Sequence, residues 1–127
     1  MFEWQAKLSV GHDPLDQEHQ SLLKLMVDFK SKLPESTEAI YQALLELVVA
    51  SQSHFFHEEE LLESLSYGNL QAHKRIHRNL LAKLQDYLKL IKSEDSRELR
   101  TEILYFLEAW WMGHIKNVDR RYAPVFS

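Results

Sequence analysis

Apolar residues recur along most of the chain at alternating steps of three and four, which is the spacing of one buried face of an α-helix. Short segments containing Pro, Gly, Ser or Asp separate four such stretches from one another. Because each stretch is long and periodic, we expect four long helices rather than strands. They are predicted to run from Pro14 to Leu33, from Ser36 or Thr37 to about Leu65, from Asn69 to about Lys92, and from Asp95 to about Arg120.

Residues typical of helix starts stand at these predicted boundaries. Asp13 precedes Pro14, which suits an N-cap followed by proline at the first helical position. Asn69 follows a turn and can cap the third helix. Asp95 is followed three residues later by Glu98, which is the spacing of a capping box.

The connections between the predicted helices are short, so neighbouring helices are expected to run antiparallel. The predicted fold is therefore all-α, an up-down-up-down antiparallel four-helix bundle that forms a single domain over residues 1–127. Residues 1–12 are predicted to be an extended N-terminal arm lying across the helices. The reason is a period of two in this segment, in which polar residues alternate with Phe2, Trp4, Ala6, Leu8 and Val10.

Composition supports the helical assignment and narrows the function. Leucine occurs 21 times against 13 for Val, Ile and Thr combined, which favours helices over strands. The chain has no cysteine, which excludes disulfides, CxxC redox sites and thiolate-bound metals. A net charge of −4 without a basic stripe argues against nucleic-acid binding. Without a long apolar run or a secretory signal, we expect a cytoplasmic protein with no membrane insertion.

Polar residues interrupt the predicted core faces at six positions. Five of the seven histidines and one glutamate occupy them. Burying one such group without a partner costs roughly 1–3 kcal/mol, so six of them need a common explanation. The six are His19, His54, Glu58, His73, His77 and His114.

All six positions fall at one level of the predicted bundle. Counted along each helix, they lie within roughly 16 Å of the ends that meet at one end of an antiparallel bundle. A lone core histidine is more often hydrogen-bonded packing than a metal ligand, and a His/Glu pair four residues apart is commonly a surface pair. The coincidence of all six at one level nevertheless predicts a metal site.

The donor types narrow the choice of metal. Five imidazoles exceed the needs of a tetrahedral zinc and are too rich in nitrogen for calcium or magnesium. Imidazole with carboxylate suits iron, and helical bundles commonly hold two irons bridged by carboxylates. Asp119 is the nearest acid to His114, but a regular helix turns it about 140° away, so spacing alone favours a surface position unless the helix bends or forms a π turn. His12 is predicted to be exposed, and Glu59 and Glu60 to be solvated surface charges.

Four motifs together carry a resemblance to a known family. They are Asp16-Gln17-Glu18-His19, His54-Phe55-x-x-Glu58-Glu59, His73-x-x-x-His77, and Trp110-x-x-x-His114-Ile115-x-x-x-Asp119-x-x-Tyr122. This set resembles the hemerythrin family in its single-domain bacterial form, bacteriohemerythrin. The resemblance covers nearly the whole chain, and every ligand position of the family holds the expected residue type.

The resemblance implies a non-heme di-iron centre, in which two iron ions (Fe2+/Fe3+) share an oxo or hydroxo bridge. Glu58 and Asp119 would also bridge both irons. One coordination position would then stay open, on the iron with only two histidines. The remaining ligands would be His73, His77 and His114 on one iron, and His19 and His54 on the other.

The same resemblance implies a dry and narrow pocket for dioxygen at the open position. Two positions depart from the usual pattern of the family. Trp111 stands where leucine is usual, and its larger ring could narrow the pocket or slow exchange, whereas Leu62 in place of methionine is a neutral core replacement. The predicted pocket residues are Leu22, Phe55, Trp110, Trp111 and Ile115.

The implied function is reversible dioxygen binding by an oxygen carrier, store or supplier, rather than an enzyme, with an oxygen-consuming enzyme as a candidate partner. Two alternatives stay open: a di-iron enzyme acting on peroxide or nitric oxide, and an oxygen or redox sensor acting through a separate partner. A ferritin-like oxidase is not favoured, because its Glu-x-x-His motifs on two helices are absent.

Overall fold

Four long α-helices form the protein in a computed structural model, which describes residues 4–110, 113–114 and 119–126, without the side chains of Lys7, Asp119 and Arg120. The helices are α1 (Asp13–Ser31), α2 (Thr37–Ser64), α3 (Leu70–Glu94) and α4 (Arg97–Trp110). Contacts join α1 to α2, α2 to α3, α3 to α4 and α4 to α1, as in an up-down-up-down bundle. The predicted all-α bundle is confirmed, and the described residues contain no strand. None of the described helices is long and apolar enough to cross a membrane.

The N-cap of α1 differs from the predicted one. His12 caps the helix instead of Asp13, and its Nδ1 accepts a hydrogen bond from the backbone N–H of Leu15 at 3.3 Å. The His12 ring also packs on Phe126, with ring centroids 4.8 Å apart. His12 is therefore half-buried rather than exposed. Pro14 lies in the first turn of α1, where a missing N–H does no harm.

The cap of α4 also differs from the prediction. Ser96 Oγ accepts a hydrogen bond from the N–H of Leu99 at 3.0 Å, whereas the Asp95 carboxylate is engaged elsewhere. The two oxygens of the Asp95 carboxylate accept hydrogen bonds from Arg100, one from Nε at 2.9 Å and the other from Nη2 at 2.7 Å. Thr37 donates to the same carboxylate. Asp95 therefore links the start of α2 to α4 instead of capping α4.

The regular helix α4 ends at Trp110, well before the predicted boundary at Arg120. Gly113 and His114 lie in a π-helical conformation, and the segment Asp119–Phe126 is a 3₁₀ helix. Glycine weakens a helix by about 1 kcal/mol relative to alanine, and π turns occur mostly as short interruptions at functional sites. His114 is buried, as the periodicity predicts, and it lies in this interruption rather than in the regular helix.

The N-terminal arm follows the predicted alternation only in part. Leu8 and Val10 are buried, but Ala6 is exposed at the start of a 3₁₀ turn, Ala6–Leu8. Asp16 on α1 anchors the arm, because it accepts hydrogen bonds from the N–H of Val10 at 2.9 Å and from Ser9 Oγ at 2.5 Å.

Two apolar clusters bracket the polar core positions. The larger cluster includes Phe55 and fills most of the bundle. Leu65, where the second helix was predicted to end, lies just beyond α2 and is 41% exposed. Along each helix, the buried histidines and Glu58 lie between residues of the larger cluster and residues of a smaller one. The smaller cluster consists of Val10, Leu15, Leu62, Leu70 and Tyr122.

Candidate metal centre

Six buried side chains meet in the layer between the two apolar clusters. They form two groups whose potential metal-binding atoms lie within 4.8 Å of one another, and Glu58 belongs to both groups. All six core positions singled out in the sequence are therefore brought together. The two-histidine group contains His19, His54 and Glu58, and the three-histidine group contains Glu58, His73, His77 and His114.

Glu58 divides its carboxylate between the two groups. Its Oε2 lies 3.1 Å from His54 Nε2 and 3.4 Å from His19 Nε2. Its Oε1 lies 2.5 Å from His73 Nε2 and 3.1 Å from His77 Nε2. Because one oxygen faces each group, this carboxylate is placed to bridge two metal ions.

Glu58 is completely buried, and its histidine neighbours favour the ionised form of its carboxyl group. Burial on its own raises the pKa of the carboxyl group, but hydrogen bonds from the surrounding histidines outweigh this effect and hold the pKa well below its usual value. An ionised carboxylate is the form that binds a metal ion. The histidines responsible are His19, His54, His73 and His77.

Two of the histidines each lie between two carboxylates. His54 Nδ1 lies 2.7 Å from Glu18 Oε1, and His77 Nδ1 lies 2.6 Å from Glu59 Oε2. A carboxylate can only accept a hydrogen bond, so both Nδ1 atoms carry a hydrogen and donate it outward. Outer carboxylates of this kind fix the orientation of metal-binding imidazoles and raise their basicity.

The inward nitrogens of these two imidazoles are placed as a metal ion requires. Each Nε2 lies 3.1 Å from an oxygen of Glu58, and His77 Nε2 also lies 3.2 Å from His114 Nε2. When Nδ1 holds the hydrogen of a neutral ring, Nε2 carries a lone pair, and a carboxylate oxygen repels it. Either a second proton or a metal ion at Nε2 removes this repulsion. The combination of buried imidazoles and a carboxylate is a donor set that suits iron.

Glu18 and Glu59 are the site residues that sequence reasoning missed. The assignment of Glu59 to the solvated surface is wrong, because its side chain is only 24% exposed and bonds His77. On a helix, Glu59 is turned about 100° from Glu58 and so faces α3. Each of the two acids stands next in sequence to a buried polar residue, and this adjacency is a signal that could have identified them. Glu60 is exposed, as predicted.

Tyr122 supports the central carboxylate from the C-terminal 3₁₀ helix. The side chain is fully buried, and its hydroxyl donates to Glu58 Oε2 at 2.9 Å. This bond holds the oxygen that faces the two-histidine group. The sequence contained Tyr122 only as part of the resemblance motif, because its position depends on the turns that follow α4.

Three predicted pocket residues close the layer on the side of the larger apolar cluster. Phe55 stacks on His77, with ring centroids 3.9 Å apart and planes 9° apart. Trp110 meets Phe55 edge-on at 5.9 Å, and Leu22 is also buried. These side chains present apolar surface, which keeps water away from the histidines.

Three further predicted site residues cannot be placed in the same way. Trp111 and Ile115 lie outside the described residues, and so does the side chain of Asp119. The backbone of Asp119 begins the C-terminal 3₁₀ helix. The π turn at Gly113 and His114 is the type of distortion that the spacing from His114 to Asp119 requires if both are to face the centre.

Residues 10–126 match a family model described as the hemerythrin HHE cation binding domain. Bacteriohemerythrin from Stenotrophomonas maltophilia is 33% identical over 123 residues, which cover 94% of this chain and 78% of that protein. Myohemerythrin from Theromyzon tessulatum is 31% identical over 121 residues, which cover 95% of this chain and 90% of that protein. A crystal structure of a hemerythrin mutant has the same fold, with a TM-score of 0.87 and 21% identity over 98% of this chain and 97% of that one. The chain therefore belongs to the hemerythrin family, and its buried layer of histidines around Glu58 is the site of a non-heme iron centre.

Proposed function

We propose that this protein binds dioxygen reversibly at a centre of two non-heme irons. The observation that carries the proposal is the sharing of Glu58 between two groups of histidines, since each group can hold one ion while the carboxylate joins them. The similarity to proteins named bacteriohemerythrin and myohemerythrin supports the same function.

The proposed ligands follow the two groups. His73, His77 and His114 would hold one iron, His19 and His54 would hold the other, and Glu58 would bridge them. Asp119 is proposed as the second bridging acid because of its place in the family motif. A pair of irons would supply two electrons that dioxygen can take up and return.

The role of the surrounding residues is to hold the donors in place and to exclude water. Glu18 and Glu59 fix the rings of His54 and His77 through their Nδ1 atoms. Phe55 lies against the face of the His77 ring and shields it. A dry site protects a reducible metal from water and anions, which would promote irreversible oxidation.

The two groups differ in the number of donors, and this difference locates the proposed ligand site. The three-histidine group has one more imidazole than the two-histidine group, and the bridging acid serves both equally. If both irons have the same coordination number, the two-histidine side has one position fewer filled by protein. We propose that dioxygen binds there, beside His19 and His54.

The function can be tested with the purified protein. We expect about two irons per chain and a visible absorption band that bleaches on anaerobic reduction and returns when air is readmitted. Repeated cycles without loss of the band would support reversible binding. A single zinc per chain would contradict the proposed centre. A band that does not return, together with rapid consumption of peroxide, would contradict reversible binding and favour a peroxide-consuming enzyme.

A further inference from the structure

A groove between α1 and α2 opens at the surface and is lined by His54 of the two-histidine group. Its volume is about 180 Å³, enough for several small molecules. The wall residues on α1 are Glu18, Ser21 and Leu22, and those on α2 include Ser53, His54 and His57.

The inner end of this groove is formed by side chains that are otherwise enclosed. Leu22 is 1% exposed and His54 is 2% exposed, and both line this groove. His54 is a member of the two-histidine group. The groove therefore ends on a donor of the group to which we assign the ligand.

The rim of the groove is held by one carboxylate that contacts two histidines. Glu18 Oε2 lies 3.1 Å from Nδ1 of His57, which is 53% exposed. The other oxygen of Glu18 lies 2.7 Å from His54 Nδ1. Glu18 thus links His57 at the rim of the groove to His54 at its inner end. The apolar side chain of Leu22 lines the groove beside them.

A second groove reaches the other side of the centre and provides a contrast. Its volume is about 210 Å³, and it is lined by Tyr67, Asn69, His73 and Arg121 among others. It ends on His73, a member of the group with the additional imidazole donor. A ligand that entered there would meet the side of the centre with more protein donors.

We propose that the groove between α1 and α2 is the route by which dioxygen reaches the two-histidine group. The identity of the ligand rests on the proposed function, whereas the route rests on the shape of the groove and on its inner end at His54. An access route acts on rates and not on equilibria, because blocking it slows entry and exit equally. Narrowing the groove is therefore expected to leave the affinity for dioxygen unchanged.

Two serines allow the groove to be narrowed from opposite walls without touching the centre. Ser21 on α1 and Ser53 on α2 are both exposed, so a larger side chain at either position can extend into the groove without displacing the core. The test variants are Ser21→Phe and Ser53→Phe. Gln52→Phe is the matched control, since Gln52 is exposed, is next to Ser53 and is not part of the groove wall.

The rates of association and dissociation should be measured for each variant by rapid mixing, with dioxygen on the reduced protein and with azide on the oxidised protein. We expect each serine variant to slow both rates by about tenfold, equivalent to roughly 1.4 kcal/mol added to both barriers, with unchanged dissociation constants. Gln52→Phe should behave as the parent protein. The rates are compared only between variants that contain the same amount of iron. If one serine variant fails to load iron, the other still tests the route.

Unchanged rates in both serine variants would overturn the proposed route. A weaker affinity caused by faster dissociation alone would also overturn it, because that result indicates a distorted centre. Azide separates this proposal from the proposed function. If the parent protein binds azide but not dioxygen, the proposed function fails, and the effect of the serine variants on azide still decides the route.

Discussion

The two halves of the centre share one carboxylate but are built differently. Among the residues that the structure describes, the two-histidine half takes its donors from α1 and α2, and its outer acid, Glu18, also binds the exposed His57 at the rim of a groove. The three-histidine half takes donors from α3 and from the π turn after α4. Its outer acid, Glu59, bonds His77, whose ring is covered by Phe55.

This difference indicates that the two halves of the buried layer have different roles. The half with more imidazoles is suited to holding a metal ion firmly, whereas the half with fewer has, under the proposed function, one position left for a further ligand. Removing groups from each half in turn should therefore have unequal consequences, and the following predictions run from the largest expected effect to the smallest.

Glu58→Gln should impair iron binding in both halves of the centre, because Glu58 belongs to both groups. The amide keeps the size of the side chain but removes the negative charge that the surrounding histidines require. We expect loss of both irons and a decrease in the free energy of unfolding of about 3 kcal/mol or more, as for a broken buried ion pair. Metal analysis and chemical denaturation measure the two effects. Glu60→Gln, at an exposed acid of the same helix, is the control. A variant that kept both irons would show that Glu58 is not a bridge.

Removing one imidazole from each half should separate their roles. His54→Ala is expected to lower the iron content and to abolish dioxygen binding, because the two-histidine half would keep only one histidine. His77→Ala should also lower the iron content through the other half. Iron analysis of both variants tests this, with Gln52→Ala, at an exposed position of α2 outside both groups, as the control. Normal iron loading by His77→Ala would remove His77 from the proposed ligands.

The outer carboxylates should have smaller effects, each confined to its own half. Glu18→Gln and Glu59→Gln are each expected to weaken iron binding by roughly 10–100-fold, as is usual for groups that orient a metal-binding histidine. Competition with a chelator measures this loss. Glu18→Gln alone should also change dioxygen affinity directly, since Glu18 bonds His54 of the proposed ligand half. Identical oxygen affinities in the two variants would contradict the different roles assigned to the two halves.

Acidification should weaken iron binding at the two-histidine half. Burial lowers the pKa of His54, but hydrogen bonds to Glu18 and Glu58 outweigh this and raise the pKa above its usual value. The metal-free ring therefore takes up a proton as the pH falls through a value above about 6.5, and iron must displace that proton. Below that pH, we expect the affinity to fall by up to about tenfold per pH unit for this one proton. In Glu18→Gln the decline should begin at a lower pH, and an unchanged onset would contradict the assigned role of Glu18.

The smallest effect should come from a polar contact that belongs to neither half. Arg100 beside Asp95 holds the pKa of that carboxyl at about 2. Since this pKa is lowered by folding, the pair stabilises the protein above the usual aspartate value of 3.8, and the contribution is lost as the pH falls through about 2. Asp95→Asn should decrease the free energy of unfolding by about 1 kcal/mol at neutral pH, after allowance for solvent screening.

Denaturant titrations of Asp95→Asn and the parent protein at pH 7 and near pH 2 measure this effect. The difference between the two proteins should vanish at the lower pH, and their iron contents should be equal. A loss of iron in this variant would show that the contact at the connection between α3 and α4 influences the centre.

Much of the bundle was predictable because helical periodicity is a local property. The steps of three and four place a residue on the inner face of a helix, and the short connections place four such faces around one axis. The level of the buried histidines followed from simple counting, which is why Glu58 and its neighbours could be expected to meet. Their proposed role as iron ligands rests on the resemblance and on the chemistry of the group.

Several local features were not predictable, since they depend on contacts between segments. His12 rather than Asp13 is the N-cap of α1, and its ring is also held against Phe126 from the far end of the chain. Asp95 does not cap α4 because Arg100 and Thr37 engage its carboxylate. Such choices depend on which partners the fold brings within reach.

The sequence by itself determined four amphipathic helices and a layer of polar residues at one depth in their common core, because periodicity and spacing act along the chain. Only the tertiary structure decided that α4 gives way to a π turn at His114, that Glu18 and Glu59 face inward to the histidines, and that separate grooves reach the two halves of the centre. These features arise between helices, where side chains from distant parts of the chain compete for the same hydrogen-bonding positions and the same space.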